Sequence, residues 1–138
     1  MSEHDCIFCR IASGELPSIP LFEDSQTKAF MDINPVARGH ALVISKDHAE
    51  TIYDISPAAL AAVSATAQRV AQAVNRALAP EGLSIIQNNG AGAAQSVAHY
   101  HLHVLPRSSY DDLTLNWRLT PGDRRGLEET AQLIRAAF

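Results

Sequence analysis

Cysteine is scarce in this sequence: two in 138 residues, Cys6 and Cys9, with none beyond them. One Cys-x-x-Cys pair cannot staple a chain of this length, which excludes the disulfide-framed secreted scaffolds and leaves a metal knuckle, a redox pair or two free buried thiols. A thioredoxin-like pair wants a strand before it, and here the pair opens the chain, so zinc is the better reading. An excess of basic charge is also missing. Eleven Lys and Arg stand against fifteen Asp and Glu, a net charge of −4, which argues against general nucleic-acid binding. A nucleotide can still be held by loop amides and local histidines. Long apolar runs are absent too. Met1–Asp5 is polar and acidic with no apolar segment behind it, and the Ala-rich stretch is broken by Gln68, Arg69, Gln72 and Asn75. No signal peptide and no membrane span are therefore expected, and the chain reads as cytoplasmic. Repeats, low-complexity tracts and linkers are lacking. With 46% apolar residues the whole of 1–138 is expected to form a single domain around its own core.

What is present is histidine in one place. Three of the six histidines fall in His99-Tyr100-His101-Leu102-His103, inside an apolar run that continues to Pro106. On a strand over 97–105 side chains alternate, so the three imidazoles line one face while Tyr100, Leu102 and Val104 line the other. A merely solvated face would carry Thr, Lys, Glu or Arg instead. Successive imidazoles stand about 6.6 Å apart along the strand and the outer pair about 13 Å. A single three-histidine metal centre is thus disfavoured. A division of labour is expected, with at least one imidazole doing nucleophilic or acid–base chemistry on phosphate.

Around this strand the sequence reads as α+β. Ile7–Ser13 is a short helix stopped by Gly14 and Pro17; Leu21–Glu23 and Thr27–Met31 are strands about a turn at Asp24-Ser25-Gln26; His40–Ile44 is a central strand. Ser56-Pro57 starts a long helix with Leu60, Val63, Ala67, Val70, Val74 and Leu78 on its apolar face, ended by Pro80 and Gly82. Leu83–Gln87 is a strand, 88–95 a loop, and a closing helix begins at Gly126 or Leu127 and runs to Ala137. The expected architecture is an antiparallel meander with the long helix across one face. Trp117 reads as a packing residue.

Together these segments resemble the histidine triad (HIT) family of nucleotide-binding proteins. His99-Tyr100-His101-Leu102-His103-Val104-Leu105 fits the His-φ-His-φ-His-φ-φ pattern, φ being apolar, at every position. Gln95-Ser96-Val97, Phe30–Pro35 and Gly39–Ile44 fit as well. Cys6-Ile7-Phe8-Cys9 and Lys46-Asp47-His48 look like its zinc-containing branch. The match runs from Cys6 to Arg107. The resemblance implies a HIT-like fold and the following roles. His101 is the nucleophile on the α-phosphorus of a nucleotide, forming a nucleotidyl-imidazole that water hydrolyses. His103 hydrogen-bonds the phosphate or its bridging oxygen, and Ser96 contacts or protonates the departing group. Asn88 and Gln95 hold phosphate oxygens, and Asp32 holds the ribose hydroxyls. Spacing alone leaves His4, His40 and His48 open as a third zinc ligand; the resemblance selects Cys6, Cys9, His48 and His99 as a structural zinc site. His40 either lines the pocket beside His101 or is a hydrogen-bonded core histidine.

The activity so implied is hydrolysis or transfer on purine nucleoside phosphoramidates or related nucleotide conjugates, such as those of AMP, by a homodimer needing no organic cofactor. Ser96 and Asn88 look like the phosphoramidase branch. Leu105-Pro106-Arg107 also occurs in the dinucleoside polyphosphate hydrolase branch, which is the alternative substrate class. Two other readings compete: a non-catalytic AMP-binding regulatory module, and a hydrolase with catalytic zinc on His99 and His101. The tail, 108–138, carries no motif of the family.

Overall fold

The central apolar strand is explained by cover on both of its faces. The structure is a computed structural model and describes residues 3–114 and 118–138, so Trp117 lies outside the described residues. Strand β3 (Ala41–Ser45) is buried at every position. Ala41 and Val43 face one core cluster while Leu42 and Ile44 face another, the two-residue period of a strand with packing on each side.

The elements are α1 (Ile7–Ala12), β1 (Pro20–Glu23), β2 (Thr27–Met31), β3, α2 (Pro57–Leu78), β4 (Gly82–Ile86), β5 (His101–Arg107) and α3 (Arg124–Ala136), with short 3₁₀ turns at Glu3–Asp5 and Ala91–Ala93. The five strands lie in the order β1-β2-β3-β5-β4 and every pairing is antiparallel. The first three form the expected meander. The chain then crosses through α2 to the far edge and returns, so that β5 lies between β3 and β4. This places the histidine strand inside the sheet.

Helix α2 starts where Ser56 and Pro57 direct it, the Ser56 Oγ accepting the Ala59 N–H at 3.1 Å. Val63, Ala67 and Val70 pack on Ala29, Val43, Tyr100, Leu102 and Val104. Tyr100, Leu102 and Val104 thus turn to α2, as alternation predicts. On the opposite face α1 sets Phe8 and Ile11 against Phe30, Leu42 and Ile44. His101 and His103 emerge on this side. Among the described residues no helix is long and apolar enough to cross a membrane.

Two elements differ from the sequence reading by more than one residue at an end. The histidine strand begins at His101, not Val97, and extends to Arg107. The ladder with β3 ends at the Ile44–His101 pair, and the Tyr100 N–H turns instead to the Ala49 carbonyl at 2.7 Å. His99 therefore lies just ahead of the strand. The last helix begins at Arg124 because Asp123 caps it, its Oδ2 accepting the Gly126 N–H at 2.8 Å.

Candidate active site

The three histidines part company at the point where β5 begins. His99, before the strand, is fully buried and points to the cysteines. Its Nδ1 is 3.3 Å from Cys6 Sγ, 3.5 Å from Cys9 Sγ and 3.3 Å from His48 Nδ1, and His48 Nδ1 is 3.3 Å from Cys9 Sγ. All four candidate ligand atoms lie within 4.8 Å of one another. A tetrahedral zinc with Zn–N near 2.0–2.1 Å and Zn–S near 2.3 Å would need N–N edges of about 3.3 Å and N–S edges of about 3.6 Å. The side chains stand at nearly that spacing. His99 Nε2 donates to the Ser45 carbonyl at 2.7 Å, so the Nδ1 lone pair is left facing the sulfurs. Burial holds the His99 pKa down near 4, as a neutral ligand requires. His48 Nε2 is buried without a hydrogen-bond partner. The donor set fits zinc, and it has no fourth position left for a water.

His101 and His103 face a cleft of about 400 Å³ that Ser96, Asp32 and Asn34 line with polar groups and Ile7, Phe8, Phe30 and Leu42 with apolar ones. Phe8, from within the Cys-x-x-Cys pair, lays its edge on His101 at 5.1 Å between centroids. The sequence reading missed it, although its place between two ligands was the available signal. His101 Nδ1 lies 2.6 Å from the His99 carbonyl. A carbonyl only accepts, so Nδ1 carries the proton and Nε2 keeps its lone pair.

His103 is set by a longer chain. The Val36 N–H donates to His40 Nδ1 at 3.2 Å, which puts the proton of the neutral His40 ring on Nε2. That proton is offered to His103 Nδ1 at 2.9 Å, with Asp32 Oδ2 more distant at 3.4 Å. His103 then bears its own proton on Nε2 and is a donor toward the cleft. Burial lowers the pKa of His101 against the opposing His99 carbonyl and Asp32, and that of His40 against Asp32. Burial, followed by the neighbouring His101 and His40, brings His103 down to about 4. The array is neutral near pH 7. It pairs a nitrogen lone pair with an N–H donor on adjacent rings 5.1 Å apart. His40 is thus a buried, hydrogen-bonded residue beneath His103.

The remaining sequence candidates are divided. Ser96 and Asp32 join the cleft, Asp32 also accepting the Asn34 N–H at 2.8 Å. The Asn88 side chain makes no hydrogen bond among the described residues, whereas Asn89 accepts the Ile52 N–H at 2.7 Å. The Gln95 carboxamide is directed at backbone on Gly90, Glu50 and Val97. Arg107 turns away from the cleft, its guanidinium taken up by both Asp111 oxygens, Ser84 Oγ and the Leu113 carbonyl.

The same arrangement has counterparts. The HIT domain matches residues 13–110. Adenylylsulfatase HINT3 of Arabidopsis thaliana is 33% identical over 96% of this chain and 67% of its own length. Adenosine 5′-monophosphoramidase hnt1 of Schizosaccharomyces pombe is 37% identical over 84% and 85%. Among solved structures, a HIT family protein from Bacillus subtilis superposes with a TM-score of 0.91 at 34% identity, covering 97% of both chains. A zinc-bound histidine triad family protein from Mycobacterium smegmatis gives a TM-score of 0.76 at 39% identity, covering 99% of this chain and 94% of its own. The domain match and these relatives cover the sheet, both faces of the site and the triad, and the chain belongs to the HIT family.

Proposed function

We propose that this chain is a nucleotide hydrolase that cleaves purine nucleoside phosphoramidates or related AMP conjugates by way of a nucleotidyl-His101 intermediate. The observation that carries the reading is the pair of opposed tautomers on β5, a lone pair on His101 Nε2 beside an N–H on His103 Nε2, each fixed from behind by a hydrogen bond. The named activities of the Arabidopsis and fission-yeast relatives, an adenylylsulfatase and an adenosine monophosphoramidase, both concern adenylyl conjugates.

In the first step the His101 lone pair forms a bond to the α-phosphorus as the P–N bond of the substrate breaks. The departing nitrogen takes up the proton of the Ser96 hydroxyl, and the water that attacks in the second step returns a proton to Ser96. His103 donates to a phosphoryl oxygen on which charge builds, a role worth about 3–4 kcal/mol in comparable oxyanion sites. In the second step water displaces His101 from phosphorus, yielding the nucleoside monophosphate and restoring the neutral ring. The apolar walls Ile7, Phe8, Phe30 and Leu42 suit a purine, and the Asp32 carboxylate suits the ribose hydroxyls. Zinc, held by Cys6, Cys9, His48 and His99, supplies a fixed anchor for the start of β5 and no chemistry on the substrate. The commitment of Arg107 to Asp111 and Ser84 favours the phosphoramidate class over a polyphosphate, which calls for a free cation.

Hydrolysis of adenosine 5′-phosphoramidate by the wild type and by His101→Ala, with mass spectrometry of acid-quenched enzyme, tests this. The expected result is an adenylyl adduct on His101 and turnover that vanishes in the variant. Activity that survives in His101→Ala would remove the covalent mechanism, and tight AMP binding without turnover would make the chain a binding module.

A further inference from the structure

We infer that Gln95 is a positioning residue, which fixes the 88–97 loop and acts on the reaction through Ser96 without touching the phosphate. The inference rests on the hydrolase reading of the site. Its basis is the hydrogen-bonding capacity of one carboxamide. Gln95 Oε1 accepts the Gly90 N–H at 2.7 Å, and Nε2 donates to the Glu50 carbonyl at 2.7 Å and to the Val97 carbonyl at 3.0 Å. One N–H and two carbonyls admit only this orientation of the amide. A phosphate oxygen accepts and does not donate, so it could use only the Nε2 hydrogens, and both are engaged. Serving the substrate would strip one backbone carbonyl of its partner.

The partners show what is being held. Gly90 is tied to Gln95 twice, because the Gln95 N–H also donates to the Gly90 carbonyl at 3.1 Å. The loop between them is exposed, with Gly90 at φ +81° and Ala94 at φ +58°, and Gly90 and Gly92 have nothing within 4 Å of an added Cβ. Apolar packing contributes little there, so polar ties decide where the loop stands. The anchor is the segment that leaves His48. Ala49 accepts the Tyr100 N–H at 2.7 Å, Glu50 accepts Gln95, and the Ile52 N–H goes to Asn89 at 2.7 Å. Asp54 stiffens that segment by accepting the Glu50 and Thr51 N–H groups at 2.9 and 2.7 Å. Ser96 is the next residue after Gln95 and lines the cleft. His101, in register with Ile44 on β3, is held independently. Releasing Gln95 should therefore move the group beside the departing nitrogen and leave the nucleophile in place.

The experiment compares Gln95→Ala with wild type on two adenosine 5′-phosphate derivatives, an alkyl phosphoramidate and a p-nitrophenyl ester. The amine must gain a proton to leave; the nitrophenolate leaves without one. A loss of about 10²-fold in kcat on the phosphoramidate is expected, the size of a general-acid contribution, with the ester changed by no more than about 3-fold. In a Ser96→Ala background Gln95→Ala should add little more, as residues acting in series do. Backbone amide exchange at Gly90 should accelerate in Gln95→Ala without ligand. Gln95→Glu, which keeps the acceptor for Gly90 but sets a second acceptor against the Glu50 and Val97 carbonyls, should lose kcat on the phosphoramidate at least as far as Gln95→Ala does. Equal losses on both substrates, additive with Ser96→Ala, would mean a direct phosphate contact and overturn the inference, as would unchanged exchange at Gly90. Failure of the wild type on both substrates would instead strike the hydrolase reading, and Gly90 exchange would still decide whether Gln95 is a brace.

Discussion

Among the described residues two clusters are built from metal-capable side chains, one holding His99 and the other His103. Cys6, Cys9, His48 and His99 form one; Asp32, His40 and His103 form the other, and within each the candidate ligand atoms lie within 4.8 Å of one another. By composition and distance both are plausible metal sites, yet only the first has its lone pairs turned inward. His99 donates Nε2–H to the Ser45 carbonyl, which frees Nδ1 for a metal. His40 receives the Val36 N–H on Nδ1, which leaves a proton on Nε2, the very atom that faces Asp32 and His103. A protonated ring nitrogen cannot ligate. The backbone partner behind each imidazole sets the tautomer, and the tautomer separates an anchor from a hydrogen-bond relay.

The strongest way to break this comparison is to take away metal. With zinc bound at about a thousand times its dissociation constant, chelation should cost about 4 kcal/mol of stability, read as a fall in melting temperature. Elemental analysis should find one zinc per chain in wild type and in Asp32→Asn, and little in Cys9→Ser. A fall in zinc content in Asp32→Asn would show that the second cluster also ligates, and the tautomer argument would fail.

Next in size is the relay. His40→Ala removes both the acceptor for Val36 and the donor to His103, and a loss of about 10²-fold in kcat is expected. His40→Gln places an amide N–H near the position of Nε2 and should recover most of that loss, measured on the same phosphoramidate. Equal losses in the two variants would mean that His40 matters by volume and not by its proton.

Much of this was legible in the sequence, for reasons that can be traced. β3 and α2 show their periods plainly, and Ser56-Pro57 marks a helix start by its chemistry. His101 and His103 stand on the face that alternation assigns them. His99 does not follow from alternation, because the ladder it would join ends two residues short of it, at the Ile44–His101 pair. The fold of His48 onto His99 depends on contacts 51 residues apart, so spacing could not choose it over His4 or His40. Least legible were the groups that set the tautomers. The Val36 N–H and the carbonyls of Ser45 and His99 are backbone atoms, and a residue's letter says nothing about where its main chain points. The phosphate role of Gln95 is implied by the family resemblance alone, and the hydrogen bonds of its carboxamide to Gly90, Glu50 and Val97 are backbone contacts that no letter announces.

A smaller effect separates the clusters by pH. The folded His103 has its pKa near 4 against 6.5 for the free side chain, owing to burial and then to His101 and His40, with Asp32 opposing. Between those values the unfolded chain binds a proton that the fold refuses. The stability linked to His103 is thus fully present above about pH 6.5 and is lost as pH falls through about 4. Melting temperatures of zinc-loaded wild type should fall over this range, and those of His103→Asn should fall less steeply. Parallel curves would show that His103 is not the group resisting protonation.

The mildest test strains the relay from behind without touching either cluster. Gly39 precedes His40 and has φ +91°, where a side chain is strained, and an added Cβ would come within 2.6 Å of Leu78 Cδ1 and 3.2 Å of Pro106 Cγ. The backbone conformation should make Gly39→Ala cost about 1–2 kcal/mol, since the Leu78 methyl can swing aside more easily than φ can change. What relaxes will be the turn that carries Val36 and His40, whereas Ser45 and His99 are held from the other end of β3. Zinc content should therefore stay at one per chain while kcat falls, a split that unfolding in bulk could not produce. Zinc and kcat falling together would show that the two ends of β3 respond as one body, and that the division of the triad is less local than its hydrogen bonds make it.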